Sequence, residues 1–149
     1  MSNLIFATLR YVTVDYSQFV LSDFAWDDRE KPPMGDDEAP GVGEHSVRIM
    51  SLIQDHDVDV NVEVWDAEPP ASNVRLVADT ALTSRSGIVV LDQLMGGPAG
   101  LPIPLGAPGR YGLRIRRSLG FPLEDRGQVK LSGRHDGLET YLLQLWPQL

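Results

Sequence analysis

Asp55, Asp57, Asp59, Asn61, Glu63 and Asp66 fall at relative positions 1, 3, 5, 7, 9 and 12 of one short stretch. That is the spacing at which a calcium loop presents its oxygen ligands. Such a loop also needs glycine at its sixth position for a sharp turn, and here that residue is Val60. Val58, Val60, Val62 and Val64 alternate with the polar residues, so a half-buried strand that turns every second residue outward explains the same spacing. The acidic strand face is the preferred reading, and no metal ligand is assigned. Asp27-Asp28 and Asp36-Asp37-Glu38 offer further carboxylates for a hard cation, but their proline-interrupted surroundings favour solvated charge.

The three histidines are His45, His56 and His135. His45 and His56 would stand roughly 30 Å or more apart on a straight strand, which makes them poor co-ligands. All three are read as surface or loop residues. No Gly-x-Ser-x-Gly elbow is present. Gly96-Gly97 and Gly106 lack a phosphate-loop lysine, and no G-x-G-x-x-G opens a helix. No catalytic residue is assigned and no cofactor is expected. A dispersed site built on His56 and neighbouring aspartates stays open as an enzyme reading.

Arg110, Arg114, Arg116 and Arg117 form the one local basic cluster. A pI near 4.7 argues against a nucleic-acid patch. Ion pairing across strands to the acidic strand is the expected use of Arg114 and Arg116. Trp65 and Trp146 sit in strand-like runs and are expected to pack. Trp26 and Phe24 lie among carboxylates, where exposed aromatics suit a protein contact.

The elements that must carry these residues are strands. Beside the run of alternating valines, similar runs cover 8–15, 18–22, 46–53, 74–82, 88–91, 111–116 and 140–146, with shorter candidates at 101–105 and 129–131. Asp55-His56-Asp57 reads as a tight hairpin connection, and Gly- or Pro-rich breaks follow at 69–73, 96–98, 107–109 and 136–137. Helical periodicity is confined to single turns at 23–30 and 90–95. The expected fold is an all-β, antiparallel β-sandwich of about eight to ten strands. Residues 1–149 are expected to form one domain, with a long acidic loop near 23–44; 118–134 is a second irregular stretch.

The formal charge of −8 is unevenly spread. Residues 22–68 hold fourteen acids against Arg29, Lys31 and Arg48, a sum of −11. Residues 69–149 hold nine bases against six acids, +3, and in 1–21 Arg10 cancels Asp15. Within the loop, 22–44 carries eight acids against Arg29 and Lys31, −6. Such a segment repels nucleic acid and steers basic partners toward itself. Cysteine is absent, which suits a reducing compartment. No basic n-region opens the chain and no run approaches the roughly 18–20 apolar residues of a membrane span. A cytoplasmic protein without membrane contact is the expectation.

Val12-Thr13-Val14-Asp15-Tyr16-Ser17-Gln18-Phe19-Val20-Leu21 is the most distinctive segment. A strand, then Tyr-x-Gln-Phe, then a second strand resembles the opening of the ComJ-type inhibitors of bacterial DNA-entry nucleases. The acidic stretch that follows, the strand pair around 47–64, Gly87-Ile88-Val89 and Pro108-Gly109-Arg110-Tyr111-Gly112-Leu113 sit in compatible places. The resemblance implies a β-sandwich that binds a nuclease and blocks it. It covers about two thirds of the chain; the segment Tyr141–Pro147 and the arginine cluster have no counterpart in it. The expected function is a non-enzymatic, inhibitor- or immunity-type protein with a basic protein partner, and the contact residues expected are Phe24, Trp26, Asp27, Asp28, Asp36, Asp37 and Glu38. A sandwich that binds a sugar, a lipid headgroup or calcium near Trp26, Trp65 or Trp146 is the alternative.

Overall fold

Alternation along the chain becomes two facing sheets in the computed structural model, which describes residues 1–25, 31–36, 39–126 and 135–148. In chain order the strands are β1 (Leu4–Val14), β2 (Gln18–Asp23), β3 (Gly41–Val42), β4 (Ser46–Met50), β5 (His56–Trp65), β6 (Leu76–Ser84), β7 (Ile88–Gln93), β8 (Gly97–Pro98), β9 (Ile103–Pro104), β10 (Gly109–Leu119) and β11 (His135–Pro147). The first sheet runs β1-β5-β11-β10-β6, and the second β3-β4-β2-β7-β8 with β9 also against β7. The eight longer strands coincide with the eight runs of alternation, and β9 lies within 101–105. The candidate at 129–131 lies outside the described residues.

Val58, Val60, Val62 and Val64 of β5 meet Val12, Val14, Leu113, Ile115, Leu143 and Leu145 in one buried cluster, closed from the second sheet by Phe19, Leu21, Val47, Ile49, Val89 and Leu91. Phe19 and Tyr141 pack edge to face across it, with ring centroids 5.1 Å apart. This burial of apolar area is what holds the two layers together.

Three expectations change. Asp55-His56-Asp57 is not a hairpin: β4 pairs with β2 and β3, whereas β5 pairs with β1 and β11. Alternation on both sides of a break shows two strands but not that they share a sheet, and 51–55 crosses between layers. The sheets are antiparallel apart from one contact, because β11 runs parallel to β5 after the chain has travelled through both layers. Val90–Gln93 belongs to β7 instead of a helical turn; Ser22 and Asp92 are joined there by a 2.9 Å hydrogen bond across the face. The only helical element among the described residues is a 3-10 turn at Leu123–Asp125.

On the outer face of the first sheet, Gly112 lies opposite Trp146, and a Cβ at Gly112 would sit 2.4 Å from the indole. The absent side chain lets Trp146 lie flat against β10, where Arg114 stacks 4.9 Å from the ring. Arg114 bonds its register partner Asp79 on β6, and also Glu68, at 3.3 and 2.8 Å. Of these two only Asp79 lies on β6; Glu68 follows the acidic β5, whose own strand residues Arg114 does not pair with, since β11 separates β10 from β5. Arg116 reaches toward β5 only through Gln144, which accepts from Arg116 Nε at 3.1 Å and donates to Glu63 at 3.0 Å.

Candidate partner-binding site

The acidic segment leaves the sandwich at Asp23, the last residue of β2. Its carboxylate is buried and collects the hydroxyls of Ser84 and Ser86, with the amides of Ser86 and Ala25. Burial pushes its pKa up, but these hydrogen bonds outweigh it and hold the group below the usual carboxylate range. The next residue, Phe24, donates its amide to Ile88 O at 2.9 Å while its ring stays 58% exposed.

The described residues 31–36 and 39–43 return as a packed strap. Arg48, on the outward side of β4, donates to Pro32 O, to Pro33 O and to Gln18 Oε1. Gly41 begins β3, and a Cβ there would strike Pro33 O at 1.7 Å; a Cβ at Gly35 would strike Ala39 O at 2.2 Å. Glycine at these two places allows 33–35 to pass directly against 39–41. Asp36 and Ala39 exchange both backbone hydrogen bonds, and Asp36 Oδ1 accepts the Ala39 amide at 2.9 Å. The described part of this stretch is thus tied to the second sheet rather than free of it. Of the seven predicted contact residues, Phe24 and Asp36 are both exposed; Trp26, Asp27, Asp28, Asp37 and Glu38 lie outside the described residues.

Sequence reasoning missed Arg48. The signal was present: one of only three bases in the acidic segment, on the outward side of a strand whose Val47 and Ile49 face the core. Beside its guanidinium the strap and sheet enclose a cleft of about 270 Å³, lined by Gln18, Val20, Lys31, Pro32, Asp92 and Leu94 among others.

Each residue of the Tyr-x-Gln-Phe motif has a separate structural task. Tyr16 and Ser17 form the turn that carries the chain from one sheet to the other, and Tyr16 is 61% exposed. Gln18 joins Arg48 to that turn, donating to Tyr16 O at 3.3 Å. Phe19 is fully buried against Tyr141.

Two histidines are buried, contrary to the surface reading. His45 bonds Thr83 O through Nδ1 at 2.8 Å. His56 is 0% exposed, with Nε2 2.8 Å from Ser51 Oγ and 3.3 Å from Glu139 Oε1. The side chain of His135 lies outside the described residues. Ser51, His56 and Glu139 have the composition of a nucleophile relay without its connectivity. In a relay one imidazole nitrogen takes the hydroxyl proton while the other is held by the acid. Here Nε2 faces both partners, the Ser51 hydroxyl donates to Glu139, and Nδ1 has no partner among the described residues. The Leu52 amide also donates to Glu139, Arg117 lies 4.0 Å away, and Tyr141 donates its hydroxyl. Burial pushes the Tyr141 phenol well above its ordinary value, and Glu139 beside it adds to the rise. Ser51, His56 and Glu139 line none of the clefts beside them, and the cluster acts as an internal polar tie between 51–55, β5, β10 and β11.

The calcium reading fails on geometry. Asp57, Asp59, Asn61 and Glu63 lie along the extended backbone of β5, about 6–7 Å apart in succession, instead of around one centre. Trp65 and Trp146 each border a shallow surface cleft, but Trp146 is already covered by Arg114.

No protein-family model and no curated protein sequence matches the chain. Two solved structures share its fold. ComJ from Bacillus subtilis, described as an inhibitor of the DNA-degrading activity of NucA, superposes with a TM-score of 0.59 at 10% identity, over 99% of this chain and 99% of that one. A protein described as crocagin biosynthetic gene J gives a TM-score of 0.59 at 11% identity, over 97% of this chain and 100% of that one. The fold is the one that the Tyr-x-Gln-Phe resemblance implied.

Proposed function

We propose that the protein is a non-enzymatic inhibitor that binds a basic enzyme, foremost a nuclease, in the manner of an immunity protein. The observation that carries this reading is its likeness of fold, end to end, to an inhibitor of a DNA-degrading enzyme. The charge distribution supports it. A nuclease holds DNA with lysine and arginine on the phosphates, and the −11 of residues 22–68 offers those side chains a competing array of carboxylates. In this reading Phe24 and Trp26 supply apolar contact, and Asp27, Asp28, Asp36, Asp37 and Glu38 supply charge. Of these, Asp36 sits in the strap clasped by Arg48, beside the edge of the second sheet. The setting is the cytoplasm, residues 1–149 act as one unit, and the acidic chain has no contact of its own with nucleic acid.

The test is inhibition. Purified protein is titrated into a candidate nuclease from the same cell, with DNA cleavage and complex formation on a sizing column as readouts. Cleavage is expected to stop near equimolar protein as a new, larger species appears. Undiminished cleavage at excess protein, with no complex, overturns the reading.

A further inference from the structure

The outer face of the first sheet carries an exposed column that the acidic strap does not use. On β1 the residues Ile5, Ala7, Leu9 and Tyr11 point outward and are all exposed, Tyr11 to 72%. The column runs roughly 20 Å, at about 3.3 Å per residue. Beside it on β5 the register sets Glu63 opposite Ala7, Asn61 opposite Leu9 and Asp59 opposite Tyr11. Trp65 and Gln144 orient the Glu63 carboxylate with hydrogen bonds of 3.0 Å, and no cation pairs with Asp59 or Glu63 among the described residues. Next to Tyr11 a cleft of about 370 Å³ is walled by Thr13, Asp57, Asp59 and Gly137.

β1 is also a sheet edge, but the edge is guarded. Gln93 Oε1 accepts the Thr13 amide at 2.7 Å, and Arg10 reaches round the strand to Leu9 O at 3.3 Å and Leu101 O at 3.2 Å. A capped amide and a charged side chain at an edge discourage addition of another strand, so the face, not the edge, is what remains for contact. Apolar side chains bordered by carboxylates match a surface that is apolar at its centre and basic at its rim. A second copy of this chain would set the same carboxylates against each other, which excludes self-association on charge.

We infer that the β1–β5 face is a docking surface for a basic protein partner, with Tyr11 as its apolar anchor and Asp59 and Glu63 as the charges that meet the partner's rim. This rests on the reading that the partner is a basic enzyme, and it adds to the strap a second contact, on the opposite sheet.

The test has two arms. In the first, a short amphipathic leucine–lysine peptide and its leucine-to-serine counterpart of equal charge are titrated into the protein, with backbone amide shifts as the readout. Shifts centred on Ile5, Ala7, Leu9, Tyr11, Asp59 and Glu63 are expected, with the leucine peptide bound about tenfold more tightly. Tyr11→Ser and Asp59→Lys should each weaken it about tenfold while leaving the melting temperature unchanged. Equal binding of the two peptides, no binding, or shifts confined to 23–44 overturns the inference. In the second arm, a nuclease that wild type and Tyr11→Ser/Asp59→Lys inhibit equally removes the face and leaves the inhibitor reading intact. Peptide bound at the face with no nuclease inhibited does the reverse.

Discussion

The Ser51 hydroxyl lies 2.8 Å from His56 Nε2 inside the sandwich and gives its proton to Glu139, so a residue of the crossover between sheets is tied through β5 to β11. The tie makes stability depend on pH. Burial raises the Glu139 pKa, but hydrogen bonds from His56, Ser51 and the Leu52 amide outweigh it and hold the group below its ordinary value near 4.5. A carboxyl depressed in the folded state contributes its full stabilisation above the unfolded value and loses it as pH falls through the folded one. Glu139→Gln should therefore cost about 3 kcal/mol at pH 7. The cost should shrink below pH 4.5 as the wild-type carboxyl also protonates. Asp23, shifted the same way, should leave the variant a residual acid limb. Urea unfolding at pH 7, 4 and 3 checks this; a cost independent of pH would show that the charge of Glu139 is not what matters.

Arg48 makes three hydrogen bonds in a fork, two to the strap and one to Gln18. Arg48→Met keeps the apolar stem and removes all three, so it should destabilise by about 2 kcal/mol. The strap should become a preferred site of proteolysis. Arg48→Lys should recover little, because a point charge cannot span the same three acceptors. Limited digestion followed by mass spectrometry reads the cut site; cleavage elsewhere would mean that Gly35, Gly41 and β3 hold the strap unaided.

The eight long strands were legible as short strand-like runs between breaks, and β5 shows the alternation most plainly. Parity also held information that the residue types concealed. His56 is in phase with Val58 and Val60, Glu139 with Tyr141 and Leu143, Arg117 with Ile115, and Ser51 with Ile49. All four stand in phase with a core-facing column, which is why they meet inside. Reading His56 as a surface or loop residue by polarity was the error. What no alternation contains is the partner of each strand: that β4 and β5 part company, and that β11 lies parallel to β5, depend on contacts between distant segments. The strap was illegible for another reason, since its order rests on Arg48 and two glycines instead of a repeating pattern.

Charge reversal on the strap separates steering from contact. Asp36→Lys/Asp37→Lys/Glu38→Lys changes the charge of the segment without touching Arg48 or Gly41. Association with an inhibited nuclease should slow by about tenfold at low salt, and its dependence on ionic strength should flatten. Stopped-flow mixing at several salt concentrations measures both. An unchanged association rate would take the strap out of the encounter and leave the sheet face to account for binding.

Tyr16 and Ser17 both adopt positive φ, 53° and 62°, in a turn that favours Asn-Gly, and neither is glycine or asparagine. Each such residue costs about 1 kcal/mol, so other interactions must hold the turn. Ser17 donates to Gln54 O at 2.9 Å, Ser51 donates to Ser17 O at 2.8 Å, and the Tyr16 amide reaches Asp55 Oδ1 at 3.4 Å. All these bonds use backbone atoms of the turn, so they survive a change of side chain. Tyr16→Asn with Ser17→Gly should therefore stabilise the protein by about 1 kcal/mol and raise Tm by roughly 3 °C. A lower Tm would show that the side chains add packing beyond the turn. A higher Tm with weaker inhibition would place the exposed Tyr16 ring in the partner contact, because strain kept at an exposed aromatic has no use in folding.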